Sequence, residues 1–316
     1  MRLSANPTYV RIRSGTYAPA SEWAALRPWE RYAIRVRGYA EQHPDAVFVL
    51  ESAAVLHGLP VFGEPRFIHV LALSGVRSHR YGDVVIHSCS DTRRVVQVDG
   101  ALATSPDETA VDLMRVLPPA FAIAVGDAVI SPRQRGRSSI AELRELAAEH
   151  KNRRGRARLA EMWDQLDPRS ESTGESVSRA IIGWLGFARP ECQVEFRSEG
   201  RTDRADFVWP DVRVIGESDG YGKYVAETPQ ETASRMIDEK SREDRLRRQS
   251  DAFVRWDWGV AMAHEPLRQR LLAAGVPLVF PRRAALLQTL ASNPRSLPPT
   301  GHAGAGAGAG GTLAHG

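Results

Sequence analysis

The run Arg204-Ala-Asp-Phe-Val-Trp-Pro-Asp-Val-Arg-Val-Ile-Gly-Glu-Ser-Asp219 decides the fold. Two strand-like segments flank the tight turn Pro210-Asp211, so the run reads as a hairpin with a short connection. If Trp209 pairs with Val214, antiparallel counting sets Asp206 directly against Glu217. Opposed side chains in such a ladder have Cβ atoms about 4.5–5.5 Å apart, and two like charges placed so are destabilising unless something compensates. The neighbours Phe207, Val208, Val214 and Ile215 indicate burial on both faces, where an uncompensated carboxylate is costlier still.

Working outward, residues 171–186 form an amphipathic helix and Cys192–Arg197 a strand ahead of the hairpin. After it, Thr228-Pro-Gln-Glu231 is a capping box with proline at the first helical position, and Phe253-Val-Arg-Trp-Asp-Trp258 is a closing strand. The order is therefore helix, three strands, helix, strand: an α/β domain over 171–282.

A divalent cation is a natural compensator for Asp206 and Glu217. Carboxylate oxygens with water suit Mg²⁺ (or Mn²⁺), which polarises phosphoryl oxygens and activates water. Asp219, two residues beyond Glu217, leaves the strand on the same face and is a candidate third ligand or general base. On the following polar helix, Lys240, Asp244 and Arg247 or Arg248 fall at spacings of three and four, and a cation from that stripe is placed to stabilise charge on a phosphate. Arg255 on the closing strand comes close to the sheet edge. Glu175 has two readings: a metal or water-positioning carboxylate, or the partner of Ser172 in a capping box.

These residues carry a resemblance. Arg-Ala-Asp206-Phe-Val-Trp-Pro, Val-Ile-Gly-Glu217-Ser-Asp219-Gly, Glu239-Lys240-Ser-Arg-Glu-Asp-Arg-Leu-Arg and Val254-Arg255-Trp together resemble the small Vsr-like endonuclease-related domains of the PD-(D/E)XK, restriction-endonuclease-like superfamily. The resemblance implies a Mg²⁺-dependent nuclease fold in which Asp206 and Glu217 bind metal, Asp219 binds metal or activates water, Lys240 stabilises the phosphate, Glu175 assists, and Arg247 and Arg255 contact nucleic acid. Asp219 stands where the motif lysine is expected, leaving Lys223 or Lys240 to supply that charge.

The N-terminal half reads differently. A ribbon over 1–25 turns at Ser14-Gly15, helix 28–43 follows, and Ser52-Ala-Ala-Val-Leu-His-Gly58-Leu-Pro60 is a short helix with an N-cap serine and a glycine stop. Strands at 67–73, 84–87 and 95–98 then lead to helices from Pro106 to Val129. Residues 1–130 resemble the AbiEi-type antitoxins of type IV toxin–antitoxin systems, with Gly15-Thr-Tyr17-Ala-Pro as the end of a wing. That implies an α/β module which binds DNA or answers to a cognate toxin. The basic, turn-rich stretch from Ser131 and the helices to 170 read as a linker. The Gly/Ala-rich end, 283–316, reads as a flexible tail.

Net charge is +4, from 42 basic and 38 acidic residues among 316, which permits nucleic-acid binding without demanding it. No stretch approaches the roughly 20 uninterrupted apolar residues of a membrane helix, and the first residues lack a secretory pattern, so the cytoplasm is the expected location. Cys89 and Cys192 are too few and too far apart for a zinc or disulfide framework and are expected in the core. His57, His69, His79 and His87 share no metal spacing. Two functions follow as expectations: a metal-dependent endonuclease hydrolysing DNA phosphodiesters, or a non-catalytic DNA-binding antitoxin or transcriptional regulator.

Overall fold

The computed structural model describes residues 6–72, 76–219 and 229–298, with backbone alone for 229–236. Lys223, the Thr228–Glu231 capping box and the end of the chain from 299 lie outside the described residues. The chain is an α/β protein built on two mixed sheets.

The N-terminal module opens with the expected ribbon, β1 (Tyr9–Arg13) and β2 (Thr16–Pro19), then α1 (Ala20–Ala25) and α2 (Pro28–Gln42). After β3 (Val47–Phe48), α3 (Leu50–His57) ends at Gly58, whose φ of 70° is the left-handed conformation that stops a helix. Ser52 is not its N-cap. The helix starts two residues earlier, and the buried Ser52 hydroxyl instead meets Tyr32 Oη at 2.7 Å and accepts from His69 N at 2.8 Å. It ties three elements together where a cap would tie only one end.

The chain continues through β4 (Ile68–Leu71), β5 (His79–Tyr81), β6 (Val84–His87), β7 (Val95–Val98) and β8 (Ala101–Thr104). These complete a sheet in the order β5-β6-β4-β3-β8-β7. Tyr32 and Val36 of α2 and Ala53 and Leu56 of α3 close its core against Phe48, Ile68, Val70, Val84 and Ala103.

Helices α4 (Pro106–Val116) and α5 (Pro119–Ile130) follow, and α5 is buried along its whole length. A helix apolar all round must be covered on every side, and here α8 (Thr173–Leu185) does part of the covering. The expected linker is therefore no linker. Leu143, Leu146 and Ala147 of α6 (Ile140–Glu149), Leu159 and Met162 of α7 (Arg156–Met162), and Leu166 all enter a core continuous from Ala54 to Leu290. Across the α5–α8 seam, Arg179 Nη2 donates to the fully buried Asp127 at 2.5 Å, and the same carboxylate accepts from Asp167 N at 2.8 Å.

The second sheet has the expected order: α8, β9 (Glu191–Ser198), β10 (Arg201–Trp209), β11 (Val214–Ser218), α9 (Pro229–Arg247), β12 (Ala252–Trp256). Strands run β12-β11-β10-β9, antiparallel except for the β11–β12 pair, which α9 connects in parallel. Phe207, Trp209, Val214 and Trp256 face α8, and Trp256 Nε1 donates to Ser178 Oγ at 2.9 Å. On the other face Leu246 of α9 packs on Ala205, Val208 and Ile215. The rings of Trp256 and Trp209 leave no room over Gly216: an added Cβ there would lie 2.8 Å from Trp256.

Beyond α10 (Trp258–Ala263) and α11 (Glu265–Ala273), the segment expected to be tail folds back. Helix α12 (Ala284–Gln288) buries Leu287, and residues 293–297 run beside residues 62–66. Arg295 there makes two hydrogen bonds to the buried Glu51. Among the cysteines, Cys192 is buried as expected, whereas Cys89 is exposed on the loop after β6. Among the described residues no helix is long and apolar enough to cross a membrane.

Candidate functional site

Three elements meet at the middle of the second sheet. The ladder Phe207↔Gly216, Val208↔Ile215, Trp209↔Val214 has the register expected from sequence, and it ends there, with Asp206 and Glu217 the next residues on the two strands. The N-terminal turn of α8 brings Glu175 to the same place.

Glu175 is the cap of its helix, and its carboxylate also reaches β9. As a cap, it accepts from Ser172 Oγ at 2.8 Å and from Glu171 N at 2.9 Å, while Ser172 Oγ accepts from its own N–H. Beyond the cap, its Oε2 also accepts from Gln193 Nε2 at 2.8 Å, and that amide reaches on to Asp206 Oδ1 at 3.3 Å. Only 7% of Glu175 is exposed. Burial first, and the charge of Asp206 second, push its carboxyl up to about 7. A group poised there exchanges a proton near neutral pH.

Gln193 had no signal in the sequence. Its φ of 58° lies in the left-handed region inside β9, where a non-glycine residue is strained, and its side chain is the bridge between the two carboxylates. The other oxygen of Asp206 accepts from Ser218 N at 2.9 Å.

Glu217, buried, is met by Arg242 of α9, whose Nη2 lies 2.5 Å from Oε2 and Nη1 3.3 Å from Oε1. Arg242 also donates to the Arg204 carbonyl at 2.8 Å, so it is held at both ends. Lys240 is not in the site. Residues two apart on a helix point about 200° from each other, and Lys240 is exposed and makes no ion pair among the described residues. The inward stripe of α9 is Glu239, Arg242, Glu243 and Leu246. Leu246, the apolar residue in that polar run, was the signal that could have oriented the helix. Asp244 is exposed with Lys240.

Asp219 and Arg255 are brought together with each other. Arg255 Nε donates to Asp219 at 2.5 Å, Nη2 to Glu239 at 2.5 Å and Nη1 to Glu243 at 2.9 Å. These three carboxylates outweigh the burial that opposes its charge and hold Arg255 firmly protonated. With three anions on it, Arg255 is a structural hub rather than a cation offered to a phosphate. Arg247 pairs with Glu243 and lies over the Phe253 ring. The expected nucleic-acid contacts at Arg247 and Arg255 are thus already engaged within the protein. Among the described residues, no group of three or more His, Cys, Asp or Glu side chains is close enough to hold a metal ion.

Fold and site together define a mixed four-stranded α/β domain with a bridged carboxylate pair, Glu175 and Asp206, at its centre. The chain is 33% identical over 195 residues to each of two proteins of Mycobacterium tuberculosis, the uncharacterized proteins MT2308 and Rv2248, an alignment covering 57% of this chain and 70% of each of theirs. It belongs to the same family as these mycobacterial proteins. No family model matches the chain. No solved structure matches it.

Proposed function

We propose that this chain is a metal-dependent endonuclease that hydrolyses DNA phosphodiester bonds in the cytoplasm. The observation that carries the reading is the Glu175–Asp206 pair: two carboxylates bridged by a strained Gln193, with Glu217 on the neighbouring strand, in a helix–three-strand–helix–strand framework. The donors suit a hard divalent cation, Mg²⁺ or Mn²⁺, because all are oxygens and because a cation would relieve the repulsion that raises Glu175. Asp206 and Glu217 would hold it, and its chemistry there is to polarise a phosphoryl oxygen and acidify a water. Glu175, raised to about 7 without a cation and lower with one beside Asp206, takes a proton at its carboxyl as a base. Arg242 fixes the Glu217 carboxylate and supplies the positive charge expected from Lys240.

A second reading is favoured by a specific observation. Arg242 already engages Glu217, as a cation in a metal's place would, which suits a non-catalytic DNA-binding regulator or antitoxin answering to a cognate toxin. Supercoiled plasmid separates the two. The endonuclease nicks it with Mg²⁺ or Mn²⁺ and not with EDTA, and Asp206→Asn or Glu217→Gln lowers the rate roughly 1000-fold or more. If the parent never nicks yet the folded variants bind DNA as it does, the regulator reading replaces the nuclease.

A further inference from the structure

A cleft of about 900 Å³ opens between the N-terminal module, the loop 133–138 and the N-terminus of α8, beside Glu175. Arg94, Arg133, Arg135 and Arg137 line it together with Asp107 and Glu142, and Glu171 and Ser172 form its wall nearest the site. That wall is one residue deep: Glu171 N and Ser172 Oγ are the groups that donate to Glu175, and Glu171 itself takes a 2.7 Å hydrogen bond from Arg204, two residues before Asp206 on β10.

The loop carrying three of these arginines is built, not draped. Ser131 Oγ and Gln134 Nε2 both donate to the Ser170 carbonyl, at 2.7 and 2.9 Å, and Gly136 N donates to the Ser131 carbonyl at 2.8 Å. Arg135 adopts a φ of 67°, and Gly136 lies so close to α5 that an added Cβ would stand 2.5 Å from the Val129 carbonyl. The charges are therefore presented from a fixed base. Two of the four are spoken for loosely, Arg94 at 3.8 Å from Asp107 and Arg133 at 3.6 Å from Glu171. Arg135 and Arg137 are exposed and have no carboxylate partner among the described residues.

From this we infer that the cleft is the track for the phosphate backbone of a nucleic-acid strand leading to the carboxylate site. Guanidinium groups on a rigid loop match phosphate oxygens in charge and geometry and need no base contacts. The inference rests on the endonuclease reading for where the strand leads, but backbone binding itself does not require cleavage.

The test measures binding in EDTA, where no metal-dependent chemistry can run, by fluorescence anisotropy of a labelled DNA duplex across salt concentrations. Arg135→Ala with Arg137→Ala is expected to lower affinity at least about tenfold and to reduce the slope of log affinity against log salt by about 2, one phosphate contact per arginine. The charge-matched control Arg213→Ala with Arg248→Ala, two exposed arginines paired to Asp251 and Glu199, leaves both unchanged. Equal losses in the two double variants, or no loss in the first, overturn the track, as does full competition by polyglutamate at matched charge. Plasmid nicking is scored separately, so a binding loss without any parental nicking retains the track and rejects only the chemistry.

Discussion

Glu51 and Glu175 are both buried glutamates in the first turn of a helix, and their surroundings drive them in opposite directions. Burial opposes ionisation of each. At Glu51 two hydrogen bonds and the charge of Arg295 outweigh it and hold the carboxyl below the usual range. At Glu175 the partners are a serine, a main-chain N–H and an amide, and the nearby charge is another carboxylate, so the carboxyl rises to about 7. The first arrangement is a clasp; the second keeps a proton in play. Burial alone does not distinguish structure from chemistry, whereas the sign of the nearest charge does.

The largest effect should come from breaking the clasp. Arg295→Ala leaves Glu51 buried without its cation and should cost about 3–5 kcal/mol in urea unfolding. A loss below about 1 kcal/mol would mean that the two glutamates differ less than their surroundings indicate. The second concerns Glu175. Between about pH 4.5 and 7 the folded state binds the extra proton, so stability falls as pH rises through that window and is level above it. Glu175→Gln removes this slope, worth about 2–3 kcal/mol, measured in EDTA as parent minus variant against pH. A difference independent of pH would show Glu175 to be an ordinary cap. The third runs the other way. Burial, with the charges of Arg295 and His87, lowers His69 beside the clasp to about 3, although Glu51 opposes this, so below pH 6.5 the unfolded chain takes up a proton that the folded one refuses. Stability carried by His69 should fall by about 2 kcal/mol from pH 6.5 to 5, and His69→Gln should flatten that limb.

The hairpin and its register were legible because Pro210-Asp211 fixes the turn and strand periodicity does the rest. The second sheet's element order followed. Helix α9 is legible as a helix, and its rotation rests on one residue: Leu246, the apolar position in a polar run, turns Arg242 rather than Lys240 inward. Gln193 was illegible, since a left-handed residue inside a strand has no composition signature when it is not glycine. The stretch 131–170 looked like a linker because its first seven residues are basic and turn-rich, yet the apolar positions of α6 and α7 are those of helices seated on a core. The contact between Arg295 and Glu51 could not be read locally at all, for neither residue's neighbours indicate the other.

That contact sets a schedule. Glu51 and Arg295 are 244 residues apart in the chain, and synthesis at roughly 5–20 residues per second separates their emergence by roughly 10–50 s. During that interval the first sheet has a buried carboxylate whose cation does not yet exist, so Glu51 favours an open or protonated N-terminal half until residue 295 arrives.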